Sequence, residues 1–271
     1  KRHSQMFLVL RENLAHVVGA STSIDELNGL AEAAICHAGC TYFDMFRRSV
    51  KDYERGRVPL RVDTDQWSQL KELFQDERGT ILVGPHTSNF DLAAQWLAAQ
   101  GLKMQALSLT EPSAGNRVLN EIRRRHGIIM TPIDIRSLRQ AIRRLREGGI
   151  VITGIDRPVS DNDKPVQFFD APARMPAGHI RLALQTNSRI VALCCLQEPD
   201  GAYAIRFSSP MEMETTGNRR EDISHNTRRV LAIIEGMIRQ APQQWLMFVP
   251  VWRKEDVLEA SQHVPGVPKV S

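Results

Sequence analysis

The chain divides into two stretches whose apolar residues recur at different intervals. Up to residue 78 the intervals are those of amphipathic helices, and no strand pattern interrupts them. From Gly79 onward, short runs of Ile, Val and Leu alternate with helical stretches. Strands are predicted at residues 80–84, 104–109, 128–131, 150–155, 166–169, 190–196 and 203–207. Helices are predicted at residues 89–100, 114–126, 134–148, 176–187 and 218–240. This alternation predicts an α/β fold with a largely parallel central sheet flanked by helices.

Three regions follow from this pattern. We expect residues 1–78 to form a helical N-terminal segment packed on an α/β domain at residues 79–254, and residues 255–271 to form a loose polar tail. Within the first region, Ser23 and Glu26 have the spacing of a capping box at the start of a helix that runs to about residue 53. A loop is expected near residues 59–64, and a helix at residues 65–77. The sequence begins at Lys1 and not at Met, so whether a membrane anchor precedes it stays open.

Composition adds few constraints. The charged fraction of 24% is ordinary for a folded protein, and the net charge is +4. Arginine provides 28 of the 35 basic residues, a skew that fits either phosphate and carboxylate contacts or a GC-rich genome. No run of 18 apolar residues occurs, so a protein of this sequence that acts on lipid should lie on the membrane surface.

The four cysteines give no metal-binding pattern. Cys36 and Cys40 have no matching Cys or His pair, so no metal site is predicted. Cys194 and Cys195 lie in an apolar run and should be buried in a strand. We expect all four to be reduced thiols on the cytoplasmic side.

Candidate chemistry begins where the first predicted strand of the α/β region ends. His86 follows that strand, at the edge of the sheet where α/β proteins bind ligands, and Asp91 lies five residues further on. A carboxylate on one ring nitrogen leaves the other nitrogen free to accept a proton, as a general base requires. The alternative is that Asp91 caps the following helix, and Ser88 lacks the Gly-x-Ser-x-Gly setting of a nucleophile.

Four sequence blocks together resemble a known superfamily. The segment from His86 to Asp91 fits the His-x4-Asp/Glu signature of the lysophospholipid acyltransferases. Residues 116–127, the strand ending in Asp156-Arg157-Pro158, and residues 166–178 follow in the expected order. The chain looks like the branch of lipid A lauroyl/myristoyl acyltransferases and, more closely, the bacterial phosphatidylinositol mannoside acyltransferases. The similarity covers roughly residues 11–252.

The resemblance implies an O-acyltransferase without a covalent enzyme intermediate and without a cofactor. His86 would be the base and Asp91 its orienting group. The donor would be acyl-CoA or an acyl carrier protein, and the acceptor a glycolipid hydroxyl at the cytoplasmic face of the membrane. The lipid A subgroup usually has Glu at the Asp91 position, which leaves the acceptor open. Two alternatives are acylation of a lysophospholipid or glycerol phosphate, and non-catalytic binding of anionic lipid; no nucleic-acid partner is expected.

Five residues in the resembling blocks are candidates for substrate binding. Three of them have an alternative role: Asp156 as a helix cap, Arg157 as a surface charge and Arg174 as a turn residue. Arg124 is the least certain in position, because two further arginines flank it. The five are Asn116, Arg124, Asp156, Arg157 and Arg174.

A second basic feature is a helical face of four arginines at residues 136, 139, 143 and 146. It is either a solvated face above a packed stripe of Ile135, Leu138, Ile142 and Leu145, or a contact for anionic lipid headgroups worth about 1 kcal/mol per residue. Near the C-terminus, the aromatic residues Trp245, Phe248 and Trp252 are expected to pack in a strand, with interfacial anchoring as the alternative. Three histidines at positions 126, 179 and 225 are interpreted as structural.

Overall fold

The computed structural model describes residues 4–47, 60–109, 114–160 and 162–253. The predicted tail and the predicted end of the second helix near residue 53 lie outside these ranges. Helices α1 (Gln5–Val18) and α2 (Ile24–Arg47) pack against each other. The capping box at the start of α2 is confirmed: the backbone N–H of Ser23 donates to Glu26, and the N–H of Glu26 donates to the Ser23 hydroxyl.

A seven-stranded sheet forms the centre of the α/β region, and the predicted fold class is confirmed. The strands run in the order β1-β9-β8-β2-β5-β3-β4, and every neighbouring pair is parallel except β8 with β9. The strands are β1 (Leu60–Val62), β2 (Thr80–Gly84), β3 (Met104–Ser108), β4 (Ile129–Pro132), β5 (Ile150–Gly154), β8 (Arg189–Gln197) and β9 (Tyr203–Phe207).

Helices cover both faces of this sheet because its central strands are apolar on both sides. Ile81 and Val83 of β2 enter one buried cluster, and Leu82 between them enters the other. The remaining helices are α3 (Thr64–Leu73), α4 (Phe90–Ala99), α5 (Ala114–Arg125), α6 (Ile135–Arg146), α7 (Gly178–Thr186) and α8 (Arg219–Arg239). No helix in the described ranges combines the length and the apolar character needed to cross a bilayer.

Two local predictions were wrong. The loop predicted near residues 59–64 contains strand β1, which pairs with β9 at the sheet edge; three residues are too few to show a sequence period. The strand expected at Trp245, Phe248 and Trp252 is also absent from the described residues: Trp245 forms an isolated bridge with Thr87, and Phe248 and Trp252 lie outside any strand. The strand predicted at residues 166–169 is confirmed, but it does not join the sheet. It forms β6 (Val166–Phe168), which pairs antiparallel with β7 (Ala171–Ala173) in a separate ribbon.

Helix α6 carries the predicted arginine face, and its apolar stripe is only partly packed. Leu145 is buried, and Leu138 and Ile142 pack partly against the core. Ile135, the first residue of the helix, is instead 72% exposed.

Candidate active site

His86 and Asp156 occupy equivalent places on two adjacent strands. Each lies two residues beyond the last residue of its strand, Gly84 of β2 and Gly154 of β5, and these glycines are partners in the parallel register. The carboxyl ends of neighbouring parallel strands open at the same sheet edge. The register therefore brings the imidazole and the carboxylate together across 70 residues of sequence.

The Asp156 carboxylate holds His86 at two points. Its Oδ1 lies 2.5 Å from His86 Nδ1, and its Oδ2 accepts from the His86 backbone N–H at 2.7 Å. The same Oδ2 accepts from the indole Nε1 of Trp245 at 2.8 Å. With Asp156 accepting from Nδ1–H, the neutral ring has an unprotonated Nε2, and no described residue forms a hydrogen bond with that atom.

This geometry corrects two expectations. Asp91 was expected to orient the imidazole, but Asp156 occupies that position. Asp156 was expected to contact substrate, but its side chain is fully buried and both oxygens have partners. The error arose because Asp91 is close to His86 in sequence, whereas the adjacency of β2 and β5 is a property of the sheet order.

Burial alone would raise the pKa of Asp156, since a charged carboxylate loses hydration. The charge of His86 and the hydrogen bonds from the His86 ring, its backbone and Trp245 outweigh that effect, and the pKa lies below its usual value. Asp156 is therefore ionised at neutral pH. An ionised carboxylate on Nδ1 stabilises the imidazolium that forms when Nε2 takes up a proton.

Asp91 pairs with Arg123 instead. Its two oxygens accept from Arg123 Nε at 2.5 Å and from a terminal guanidinium nitrogen at 2.9 Å, and Arg123 also donates to Asn120. Burial would lower the pKa of Arg123, but the Asp91 carboxylate raises it overall. Asn89, not Asp91, caps α4 by accepting from Leu92 N–H. Asp91 thus connects the first turn of α4 to the last turn of α5.

The turn that carries His86 is fixed by a C-terminal segment. The N–H of Leu246 donates to the His86 carbonyl at 2.8 Å, and the N–H of Ser88 donates to the Gln244 carbonyl at 2.7 Å. Ser88 has a φ of 28°, in the left-handed region that a non-glycine residue rarely occupies. Sequence reasoning missed Trp245 as a site residue. It is fully buried, which excludes interfacial anchoring for this side chain.

Gly154 and Phe90 enclose the imidazole. A Cβ at Gly154 would lie 2.6 Å from Cε1 of the His86 ring, so only glycine fits there without a shift of the ring. The Phe90 ring meets the imidazole edge-on, with 5.0 Å between ring centroids. His86 keeps 25% of its side-chain surface exposed.

A cavity of about 440 Å³ opens beside His86, within the usual range for small-molecule sites. Its deep part is apolar and includes Leu119, Ile128 and Leu193. Asp91 and Arg123 also line it.

Of the predicted substrate-binding residues, Asn116 and Arg157 line this cavity, while Arg124 and Arg174 do not. Arg124 points away and lies 3.8 Å from Glu121, because the neighbouring Arg123 occupies the inward face of α5. Arg174 donates to the Asp163 carbonyl.

Comparison with known proteins identifies the class. A family model for bacterial lipid A biosynthesis acyltransferases matches residues 2–254, and the chain belongs to this family of lipid acyltransferases. It is 26% identical over 247 residues to a phosphatidylinositol mannoside acyltransferase of Mycolicibacterium smegmatis, covering 90% of this chain and 78% of the relative. A protein of the same name from Mycobacterium tuberculosis is 24% identical over 252 residues, covering 90% and 76%. Among solved structures, the pilus retraction motor PilT overlaps with a TM-score of 0.28 at 14% identity, covering 73% of this chain and 65% of that one; this overlap carries no argument.

Proposed function

We propose that the protein is a membrane-associated O-acyltransferase that moves a fatty acyl chain from a thioester to a glycolipid hydroxyl. The observation that carries this proposal is the contact between His86 and the buried Asp156 beside an apolar cavity. Such a pair provides a positioned base, and the cavity provides space for a hydrocarbon chain. Neither part requires a metal ion or a cofactor.

In the proposed reaction, Nε2 of His86 accepts the proton of the acceptor hydroxyl as its oxygen attacks the thioester carbonyl. The new C–O bond forms, the C–S bond breaks, and the imidazolium returns the proton to the leaving thiolate. Asp156 stabilises the imidazolium between these two proton transfers. No acyl-enzyme forms, so the hydroxyl of Ser88 has no covalent role.

We assign Asp91 a positioning role through Arg123. The pair closes one side of the cavity by connecting α4 to α5, and both side chains line the cavity. Asn116 and Arg157 remain candidates for contact with the polar parts of the substrates, since both line the same cavity.

The proposed acceptor has support from the relatives, whereas the proposed donor follows from the class of reaction. The glycolipid acceptor is supported by the name of the relatives, phosphatidylinositol mannoside acyltransferase. The donor would be acyl-CoA or an acyl carrier protein, and the site of action the cytoplasmic face of the membrane, as a peripheral protein. Acylation of a lysophospholipid or glycerol phosphate uses the same chemistry and is the alternative.

The test is incubation of the protein with labelled acyl-CoA and a membrane lipid extract, with the product identified by mass spectrometry. We expect a glycolipid that has gained one acyl chain. A labelled phospholipid instead would favour the alternative acceptor. Binding of anionic lipid with no transfer from either acyl-CoA or acyl carrier protein would contradict the enzymatic proposal.

A further inference from the structure

Large apolar side chains are exposed around the mouth of the cavity. Tyr42, Ile133, Val159 and Val249 line the cavity and are each 38–48% exposed. Phe46, one helical turn beyond Tyr42, is 62% exposed, and Ile135 is 72% exposed. We call these six residues, Tyr42, Phe46, Ile133, Ile135, Val159 and Val249, the apolar rim. They come from four separate parts of the chain, so no single amphipathic helix accounts for them.

Positive charge accompanies the apolar rim. Arg139 follows Ile135 on α6 and is exposed, and Arg157 lies in the cavity wall two residues before Val159. Apolar and aromatic side chains beside basic ones are typical of surfaces that enter the headgroup region of anionic membranes. Several large apolar side chains exposed around one cavity are also more typical of an interaction site than single exposed apolar residues are.

We propose that the apolar rim inserts into the headgroup region of an anionic bilayer, so that the cavity opens directly onto the lipid. This inference rests on the proposed function, because a lipid acceptor and a released acylated lipid must both pass between the membrane and His86. A mouth placed in the interface removes the need to expose either hydrocarbon chain to water.

Docking through the apolar rim orients the protein on the membrane differently from docking through the arginine face of α6. Arg136 and Arg143 of that face lie with Lys71, Lys103 and Arg144 around a separate cleft at the amino ends of β3 and β5. The cavity lies at the carboxyl ends of those strands. A membrane held by the arginines around that cleft would therefore not meet the cavity mouth, whereas one held at the apolar rim would.

The first test is sedimentation with vesicles of mixed phosphatidylglycerol and phosphatidylcholine. The double variant Phe46→Ser/Ile135→Ser removes two exposed rim side chains, neither of which lines the cavity. The matched control Met6→Ser/Ile24→Ser removes two apolar side chains that are 46% and 55% exposed elsewhere. We expect the rim variant to lose about tenfold or more in vesicle partition and the control to stay within about twofold, given the apolar area involved.

A second measurement reports insertion directly. Phe46→Trp and Ile24→Trp place a fluorophore at opposite ends of α2. Lipids brominated near the headgroup end of the acyl chain should quench the added fluorescence at position 46 and leave that at position 24 unchanged. Equal quenching at the two positions would overturn the proposed orientation.

Other outcomes separate this inference from its alternatives. If Arg143→Ala/Arg146→Ala abolishes vesicle binding while the rim variant binds normally, the arginine face is the docking surface and the inference is wrong. If the rim variant changes a concentration-dependent oligomer instead, a second copy covers the rim. The rim variant should still transfer a short acyl chain to a water-soluble acceptor. If the wild-type protein transfers no acyl group at all but inserts its rim, the proposed function fails and the docking surface stands.

Discussion

Replacing Asp156 by Asn should remove most acyl transfer while preserving the shape of the site. Asp156 accepts three hydrogen bonds through two oxygens: from His86 N–H, from His86 Nδ1 and from Trp245 Nε1. An amide has only one oxygen. If that oxygen keeps the two bonds made by Oδ2, the NH₂ group faces Nδ1 and forces the proton onto Nε2, which then cannot act as a base.

The opposite orientation of the amide at position 156 also fails to replace the hydrogen bonds of the carboxylate. It would place the NH₂ group against the N–H of His86 and the indole N–H of Trp245, leaving buried donors unsatisfied. We therefore expect a loss of about 10³–10⁴-fold in kcat/KM, equivalent to about 4–5.5 kcal/mol of transition-state stabilisation. The assay is transfer of a labelled acyl chain from acyl-CoA, with circular dichroism to confirm folding.

Asp91→Asn is the matched control, because it makes the same change to a cavity carboxylate that pairs with Arg123. Each variant is combined with His86→Ala in a double-mutant cycle. The losses from Asp156→Asn and His86→Ala should be far from additive, because Asp156 acts through the ring. The losses from Asp91→Asn and His86→Ala should be nearly additive. Additive behaviour for Asp156 together with coupling for Asp91 would refute the assignment of the orienting carboxylate.

Three further predictions follow from the same structure. Gly154→Ala should lower transfer about tenfold or more because its Cβ would displace the His86 ring, whereas Gly29→Ala, where nothing lies within 4 Å, should keep full activity in the same assay. Burial lowers the pKa of His179 to about 3, so the unfolded state takes up a proton first as pH falls. Urea unfolding should therefore show stability lost below about pH 6.5, by about 2 kcal/mol at pH 5, and His179→Leu should reduce this dependence; an unchanged slope would contradict it. Ser88→Ala should retain substantial transfer, and trapping of an acylated Ser88 would contradict the proposed mechanism.

The sequence predicted the parts of the fold that periodicity determines. The strands β2 and β9 have the predicted bounds, because apolar runs bounded by turns mark buried strands. Strand β1 was missed because three residues cannot show a period. The cysteines at positions 194 and 195 lie buried in β8 as predicted, since that strand is apolar on both faces.

The candidate site was predicted only in part. His86 was proposed as a site residue because it follows a buried strand, and that reasoning needs no knowledge of the strand order; its catalytic role stays a prediction. The partner of His86 was misassigned because β3 and β4 separate β2 from β5 in sequence, while β2 and β5 are neighbours in the sheet. The matching Gly-x-His and Gly-x-Asp endings of these two strands were a signal that could have paired them.

Arg123 shows that the sequence does not fix which residue of a helix faces the cavity. Three consecutive arginines end α5, and the sequence alone does not fix which of them faces inward. A helix turns about 100° per residue, so an error of one position moves the side chain from the cavity to solvent. The structure places Arg123 against Asp91, and Arg124 near Glu121.

The most direct test of the account is acyl transfer by the His86→Ala variant. The measurement is the initial rate of labelled acyl transfer from acyl-CoA to the lipid acceptor identified with the wild-type protein, using variant protein shown to be folded by circular dichroism. Loss of a positioned general base should reduce the rate about 10²–10⁴-fold. A folded His86→Ala protein that transfers acyl chains at close to the wild-type rate would contradict the assignment of His86 as the base.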